Sequence, residues 1–318
     1  MTTLAIEARE LVRDFGPIRA LDHLSLDVPT GIVFGFLGPN GAGKTTAIRT
    51  FLGLVEPTAG SARVFGFDTC REGDRVRERA GALLEHHGLY ERLTAEQNLD
   101  FAGRVWRMPP MERRSRIREL LDQFGLWDRR HEAVGKWSRG MKQKLAVARA
   151  VFHRPPLVFL DEPTAGLDPV ASAALRDDLA SLASGQGVTV FLTTHNLVEA
   201  ERLCDLVGVI RRGQLAALGP PASLRPGDSA WVRVTGTGID SEVAQRAASL
   251  PGILDVTAAD GTLEVKLAEG ARPAELVALL VQHGVAIDEV RRNRQTLEEA
   301  FLELVSDDAA SARPGDRR

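Results

Sequence analysis

Gly38-Pro39-Asn40-Gly41-Ala42-Gly43-Lys44-Thr45-Thr46 carries the spacing G-x-x-x-x-G-K-[ST] between a continuous apolar run and a helical pattern. Glycines at these places let backbone N–H groups converge on phosphate oxygens, and the following helix N-terminus adds partial positive charge. Lys44 is placed to reach the β- and γ-phosphates of a nucleotide, and the Thr45 hydroxyl to hold Mg²⁺. A second chemical segment, Leu157 to Pro169 (LVFLDEPTAGLDP), is an apolar run ending in two acids. Asp161 is placed to bind the Mg²⁺ shell and Glu162 to accept a proton from attacking water. A third apolar run, VTVFLTT, ends at His195. If its strand runs parallel to the other two, His195 reaches the edge where open α/β sheets bind ligands.

These residues need a parallel sheet to bring them together. Gly31–Gly38, LVFL and VTVFLTT read as buried strands. Helices are expected from Lys44 to about Leu54, Ser138 to about His153 and Ala171 to Ala183. Such alternation implies a mostly parallel sheet wrapped by helices. Before it, Leu4 to Val28 reads as antiparallel strands broken at Gly16-Pro17. Thr94 and Gln97 have capping-box spacing, opening a helical stretch to about Gln123 that Pro109-Pro110 splits in two.

Gly219-Pro220-Pro221 marks a linker. Beyond it the pattern reads strand (WVRVTG), helix (Glu242–Ser249) and a hairpin through Asp260-Gly261. A helix (Ala274–His283), a strand (VAIDEV) and a last helix (Thr296–Val305) follow. The βαββαβ order predicts a small α+β, ferredoxin-like domain. The domains expected are therefore 1–224, with a helical subdomain at about 90–150, then 225–305, and a polar, disordered tail at 306–318.

The net charge of -3 and pI near 6.2 give no global attraction to nucleic acid. Cys70 and Cys204 are too far apart in sequence for a metal or redox motif and read as buried small hydrophobes in a reducing compartment. No signal peptide is evident, and no apolar run approaches the roughly 18 residues needed to cross a bilayer. The Arg-rich stretch from Arg104 to Arg118 reads either as a solvated helix face or as a surface that meets a permease and anionic lipid.

The phosphate loop alone does not separate kinases, GTPases and motors. The order and gaps of phosphate loop, WSRGMKQK, LDEP, GLDP and TTH do: from about Leu4 to Leu224 the chain resembles an ATP-binding cassette (ABC) transporter ATPase. Its last hundred residues, closing on RNRQTLEEAFLELV, are similar to the extension of drug- and antibiotic-export ATPases. The resemblance implies a P-loop NTPase cassette built from a parallel core sheet, an antiparallel β-subdomain and a helical subdomain.

It also implies roles for particular residues. Phe15 matches the aromatic that stacks on adenine, and Ser138 and Gly140 the signature that closes on the γ-phosphate of an opposite subunit. Asp168 matches the loop that communicates across that dimer. Two positions depart from the family. Arg139 stands where a bare glycine is usual, and Glu85 stands where a coupling glutamine is usual, still able to ligate Mg²⁺ or a water. The implied protein hydrolyses ATP with Mg²⁺ and works as a head-to-tail homodimer. It sits peripherally at the cytoplasmic face of the membrane. There it powers a separate multi-span permease that exports a hydrophobic compound: a drug, antibiotic or lipid-like molecule. Nucleic acid is not an expected partner. Cassette ATPases that act on ribosomes or DNA typically carry two cassettes or a long coiled coil, and this chain has one phosphate loop and no sustained heptads. A regulatory module that merely senses nucleotide is disfavoured by having both Glu162 and His195.

Overall fold

The computed structural model describes residues 3–224, 230–268 and 270–294. The expected helix at Thr296–Val305, the closing motif and the tail lie outside the described residues. The chain divides into two compact units, Met1–Pro221 and Ala222–Arg318.

In the first unit β1 (Leu4–Phe15) and β2 (Ile18–Pro29) form an antiparallel pair around the turn at Gly16. β3 (Val33–Leu37) leads through the phosphate loop into α1 (Lys44–Phe51). Next come β4 (Ala59–Val64), β5 (Phe67–Asp68), α2 (Gly73–Glu78) and β6 (Ala80–Leu83), where the sequence pattern had suggested no elements. The helical segment holds α3 (Ala95–Val105), α4 (Pro110–Gln123) and α5 (Arg139–Ala150). After it run β7 (Leu157–Asp161), α6 (Pro169–Gln186), β8 (Thr189–Thr194), α7 (Leu197–Leu203), β9 (Leu206–Arg211) and β10 (Gln214–Gly219).

Two sheets result. The antiparallel one has the order β2-β1-β4-β5, and the other β10-β9-β3-β8-β7-β6. In the second, β9, β3, β8, β7 and β6 are all parallel and only β10 is antiparallel. Every residue of β3, β7 and β8 is buried, which is why these strands read as unbroken apolar runs. Both sheets and α1 share one core, with Phe34, Phe36, Phe51, Phe159 and Phe191 at its centre. Phe34 and Phe191 stack with ring centroids 5.1 Å apart, and Phe51 meets Phe191 edge-on at 5.9 Å. Such pairs add about 0.5–1.5 kcal/mol each beyond their area burial.

The capping box forms as read: the Thr94 hydroxyl accepts from the Gln97 N–H, and the Gln97 side chain accepts from the Thr94 N–H at 2.9 Å. The Arg-rich stretch is not a uniformly solvated face. Arg104 and Arg118 are exposed, but Arg116 is 1% exposed, donating to the carbonyls of Phe152 and Val151. Arg113 is also largely covered, paired with Asp100. Arg116 thus ties α4 to the chain just after α5 and Arg113 ties it to α3, and burial lowers the Arg116 pKa. One thiol also differs from expectation. Cys204 is buried, but Cys70 is exposed, because it sits in a turn where its N–H donates to Asp68.

The second unit contains β11 (Ala230–Thr237), α8 (Ser241–Ala248), β12 (Ile253–Ala259), β13 (Thr262–Leu267), α9 (Pro273–Gln282) and β14 (Ala286–Arg294). Its antiparallel order, β12-β13-β11-β14, interleaves the two βαβ halves as a ferredoxin-like sheet does. Asp260 and Gly261, at φ 47° and 71°, turn the β12–β13 hairpin. Val232, Val234, Leu263, Val265, Leu276 and Leu280 form a core separate from that of the first unit. Each unit therefore has its own apolar interior. Truncation after Gly227 is expected to leave a first unit that binds ATP within about twofold of the full chain, below the 1.4 kcal/mol that a tenfold change represents. Nucleotide titration of the two proteins checks this, and lost binding in a folded truncation contradicts it.

Candidate functional site

Parallel register assembles the site. Leu37 is level with Thr194, and Asp161 with Thr193, so the strand ends deliver Gly38, Glu162 and His195 to one edge. The phosphate loop leaves β3 there. Gly43 takes φ 108°, and a Cβ on it would stand 2.4 Å from the Ala20 carbonyl, so only glycine fits. A Cβ on Gly38 would meet the Ile210 carbonyl at the same distance. Gly43 also leaves the α1 N-terminus without a side-chain cap, and the N–H groups of that turn remain available to an anion.

Lys44 is 6% exposed and folds back, donating to the carbonyls of Gly38 (2.7 Å) and Pro39 (3.2 Å). Its Nζ also lies 3.5 Å from Glu162 Oε1, while Glu162 Oε2 lies 3.2 Å from His195 Nδ1. The Thr45 hydroxyl donates to Asp161 Oδ2 at 2.7 Å. Thr193 donates to the other Asp161 oxygen, and its Oγ1 accepts from the Glu162 N–H at 2.9 Å. Glu162 has φ 48°, a left-handed backbone uncommon for a glutamate, held by the Thr193 contact and by the Ala165 N–H donating to its carbonyl. Thus an acid, a histidine and a lysine converge beside a hydroxyl–carboxylate pair.

These groups border a cavity of about 390 Å³ lined by Asn40 to Thr46, Glu85, His87, Arg139, Gln143, Asp161 and Glu162. Of the residues foreseen from sequence, Phe15, Gly38, Pro39, Ser138, Gly140, Asp168 and His195 do not line it. Phe15 is exposed, with the Arg13 guanidinium over its ring at 4.4 Å. Ser138 caps α5 by accepting from the Met141 N–H, and Asp168 caps α6 by accepting from Val170 and Ala171. Glu85 borders the cavity with its carboxylate 3.3 Å from Arg49.

Arg139, which departs from the family's usual glycine inside the signature, borders the cavity of its own chain. A Cβ on Gly166 would fall 2.1 Å from its guanidinium. Sequence reading missed His87 and Gln143, which face the same space. Burial, then the nearby Arg139 charge, lowers the His87 pKa and favours a neutral ring. Nothing in the HHG run distinguished His87 from an ordinary turn histidine. Thr193 was hidden too, since it reads as one more β-branched strand residue.

A nucleoside triphosphate and a hydrated divalent cation fit this donor set. Glycines clear the approach, an uncapped helix end and Lys44 face the cavity, and a hydroxyl and a carboxylate meet at one point. The chain matches the ABC transporter family over residues 21–165. It is 33% identical to the bacitracin transport ATP-binding protein BcrA of Bacillus licheniformis over 305 residues, 96% of this chain and 98% of that one. It is 37% identical over 316 residues to the daunorubicin resistance ATP-binding protein DrrA2 of Streptomyces coeruleorubidus, covering 96% of each. Among solved structures it is similar to a dimeric ATP-binding cassette in a post-hydrolysis state bound to ADP and phosphate. The TM-score is 0.61 at 25% identity, over 68% of this chain and 98% of that one. The chain belongs to the ABC transporter ATP-binding family, and it is an ATP-binding, ATP-hydrolysing subunit.

Proposed function

We propose that this subunit is the motor of an exporter for a hydrophobic drug, antibiotic or lipid-like compound. Two copies close head to tail on ATP and thereby drive a separate membrane permease. The single observation that carries the chemical part is the convergence of Lys44, Glu162 and His195 next to Thr45–Asp161 at one sheet edge.

In this reading the α1 N-terminus and Lys44 hold the phosphates, and Phe15 offers its ring to adenine. Thr45, Asp161 and Glu85 hold Mg²⁺, which neutralises phosphate charge when bound. Glu162 orients the attacking water and accepts its proton, and His195, with Nδ1 3.2 Å from the Glu162 carboxylate, faces the γ-phosphate. Ser138, Arg139 and Gly140 of one copy complete the cavity of the other, and Asp168 joins the two sites. For this the Arg139 guanidinium, which in the single chain lies against Gly166, would have to leave that place.

The bacitracin and daunorubicin names of the relatives support an exporter of such compounds. Among the described residues no helix is long and apolar enough to cross a membrane, so the reading places the span in another chain. A groove beside α3 supports a docked permease segment. It is lined by Tyr90, Phe101, Val105, Trp106 and His153, and the first three side chains are 46–63% exposed. Trp106 stacks on His153, whose pKa burial pushes down to about 4, so this ring is neutral at physiological pH, and Arg149 is the cation on the same wall.

A shared site makes activity depend on association. Specific ATPase activity should fall as the protein is diluted below its dimer dissociation constant, approaching zero as monomer predominates. Activity per chain that is constant across that range contradicts pairing.

A further inference from the structure

Glu199, in the first turn of α7, is the buried acid that the chemistry above leaves unused. It is 2% exposed, and its Oε1 has no hydrogen-bond partner. Its Oε2 accepts two hydroxyls, from Thr164 at 2.7 Å and from Thr194 at 3.2 Å. A carboxylate removed from water is costly, and an apolar residue would pack this helix against the sheet more cheaply.

The two threonines are where this oxygen acquires meaning. Thr164 lies two residues beyond Glu162, in the turn closed by the Ala165 N–H on the Glu162 carbonyl. Thr194 immediately precedes His195. On the other side of His195, the Asn196 N–H donates to Thr194 Oγ1 at 2.9 Å, and the Asn196 side chain accepts from the Glu199 N–H at 3.1 Å. The residues on both sides of His195 are thus joined in a small ring of hydrogen bonds that passes through Glu199, while the His195 side chain itself stays exposed. The same Glu199 oxygen reaches across to the strained turn of Glu162. Thr193, on the opposite side, already fixes the Glu162 N–H to Asp161.

We infer that Glu199 is a positioning residue that sets the 3.2 Å spacing of Glu162 and His195 by tying the two turns that carry them to one buried oxygen. The inference rests on the proposed roles of Glu162 and His195. It places no demand on the phosphate loop, because the hydrogen bonds of Glu199 go to Thr164, Thr194 and Asn196.

The test measures ATP affinity and steady-state hydrolysis for the full chain. Glu199→Ala should lower kcat at least tenfold while ATP affinity stays within twofold of the parent. Glu199→Gln, which keeps an oxygen for the hydroxyls, should retain at least half of kcat. Thr164→Val/Thr194→Val preserves shape without the hydroxyls and should reproduce the kcat loss even if Glu199→Ala fails to fold. In a His195→Ala background, either change should cost less than twofold more, because a coupled pair is already broken. An unchanged kcat in the valine pair overturns the inference. So does an equal loss of kcat and ATP affinity, or a full additional loss in the His195→Ala background. The proposed role of Glu162 is judged separately: parent-rate hydrolysis by Glu162→Gln removes that role, whatever Glu199 does.

Discussion

Glu162→Gln should abolish multiple-turnover hydrolysis, lowering kcat at least a hundredfold, while ATP still binds. Positioned proton acceptors contribute roughly 10²–10⁴-fold, and an amide cannot take the proton. The geometry sharpens this expectation. Glu162 sits between the Lys44 ammonium and the His195 ring, so the amide loses the ion pair with Lys44 and presents no carboxylate to His195. The backbone of the turn should survive, because it is held by the Thr193 hydroxyl and the Ala165 N–H rather than by the carboxylate. Removal of a negative charge beside the phosphates should also favour the nucleotide-bound state. With Mg²⁺ and ATP the variant should therefore accumulate as a dimer on size exclusion, and hydrolysis at the parent rate would assign the chemistry to another group.

Lys44→Ala should weaken ATP binding at least tenfold, about 1.4 kcal/mol. In the folded chain the ammonium is almost entirely buried and already bonded to the Gly38 and Pro39 carbonyls, so it is held in place before any nucleotide arrives. Little side-chain entropy remains to be lost on binding, and a charge-assisted contact to phosphate is gained nearly in full. Its loss also leaves the Glu162 carboxylate uncompensated next to the phosphates. Titration with a fluorescent ATP analogue measures the change, and parent affinity in the variant would contradict the assignment.

The sequence disclosed the residues that meet at the sheet edge because buried parallel strands leave unbroken apolar runs. Each run ends abruptly in a glycine loop, an acid pair or a histidine, which marks the sheet edge. It did not disclose β4, β6, β9 or β10. Stretches such as AGSARV and QLAALG are built from small residues and half-exposed, so alternation is faint. α1 ends at Phe51, short of the expected Leu54, because Gly53 turns the chain at φ 65°. Arg116 and Glu199 look like surface charges in an amphipathic pattern, and only tertiary contacts reveal that both are buried. Arg139 was legible as a departure from the family, but its lean toward Gly166 depends on the α5–α6 geometry that no local pattern encodes.

The most direct test of the account is complementation between two inactive chains. Lys44→Ala removes the phosphate cation from a chain's own cavity, and Ser138→Arg obstructs the helix end that the chain presents to its partner. In a mixed pair both lesions fall on one cavity and the other is intact. ATPase activity should return to about half that of the parent per mixed pair, from near zero in either variant alone. With a random mixture about half of the dimers are mixed, so the recovered total should be near a quarter of the parent rate. No recovery on mixing, from variants that each still fold and dimerise with the parent chain, would contradict the shared site.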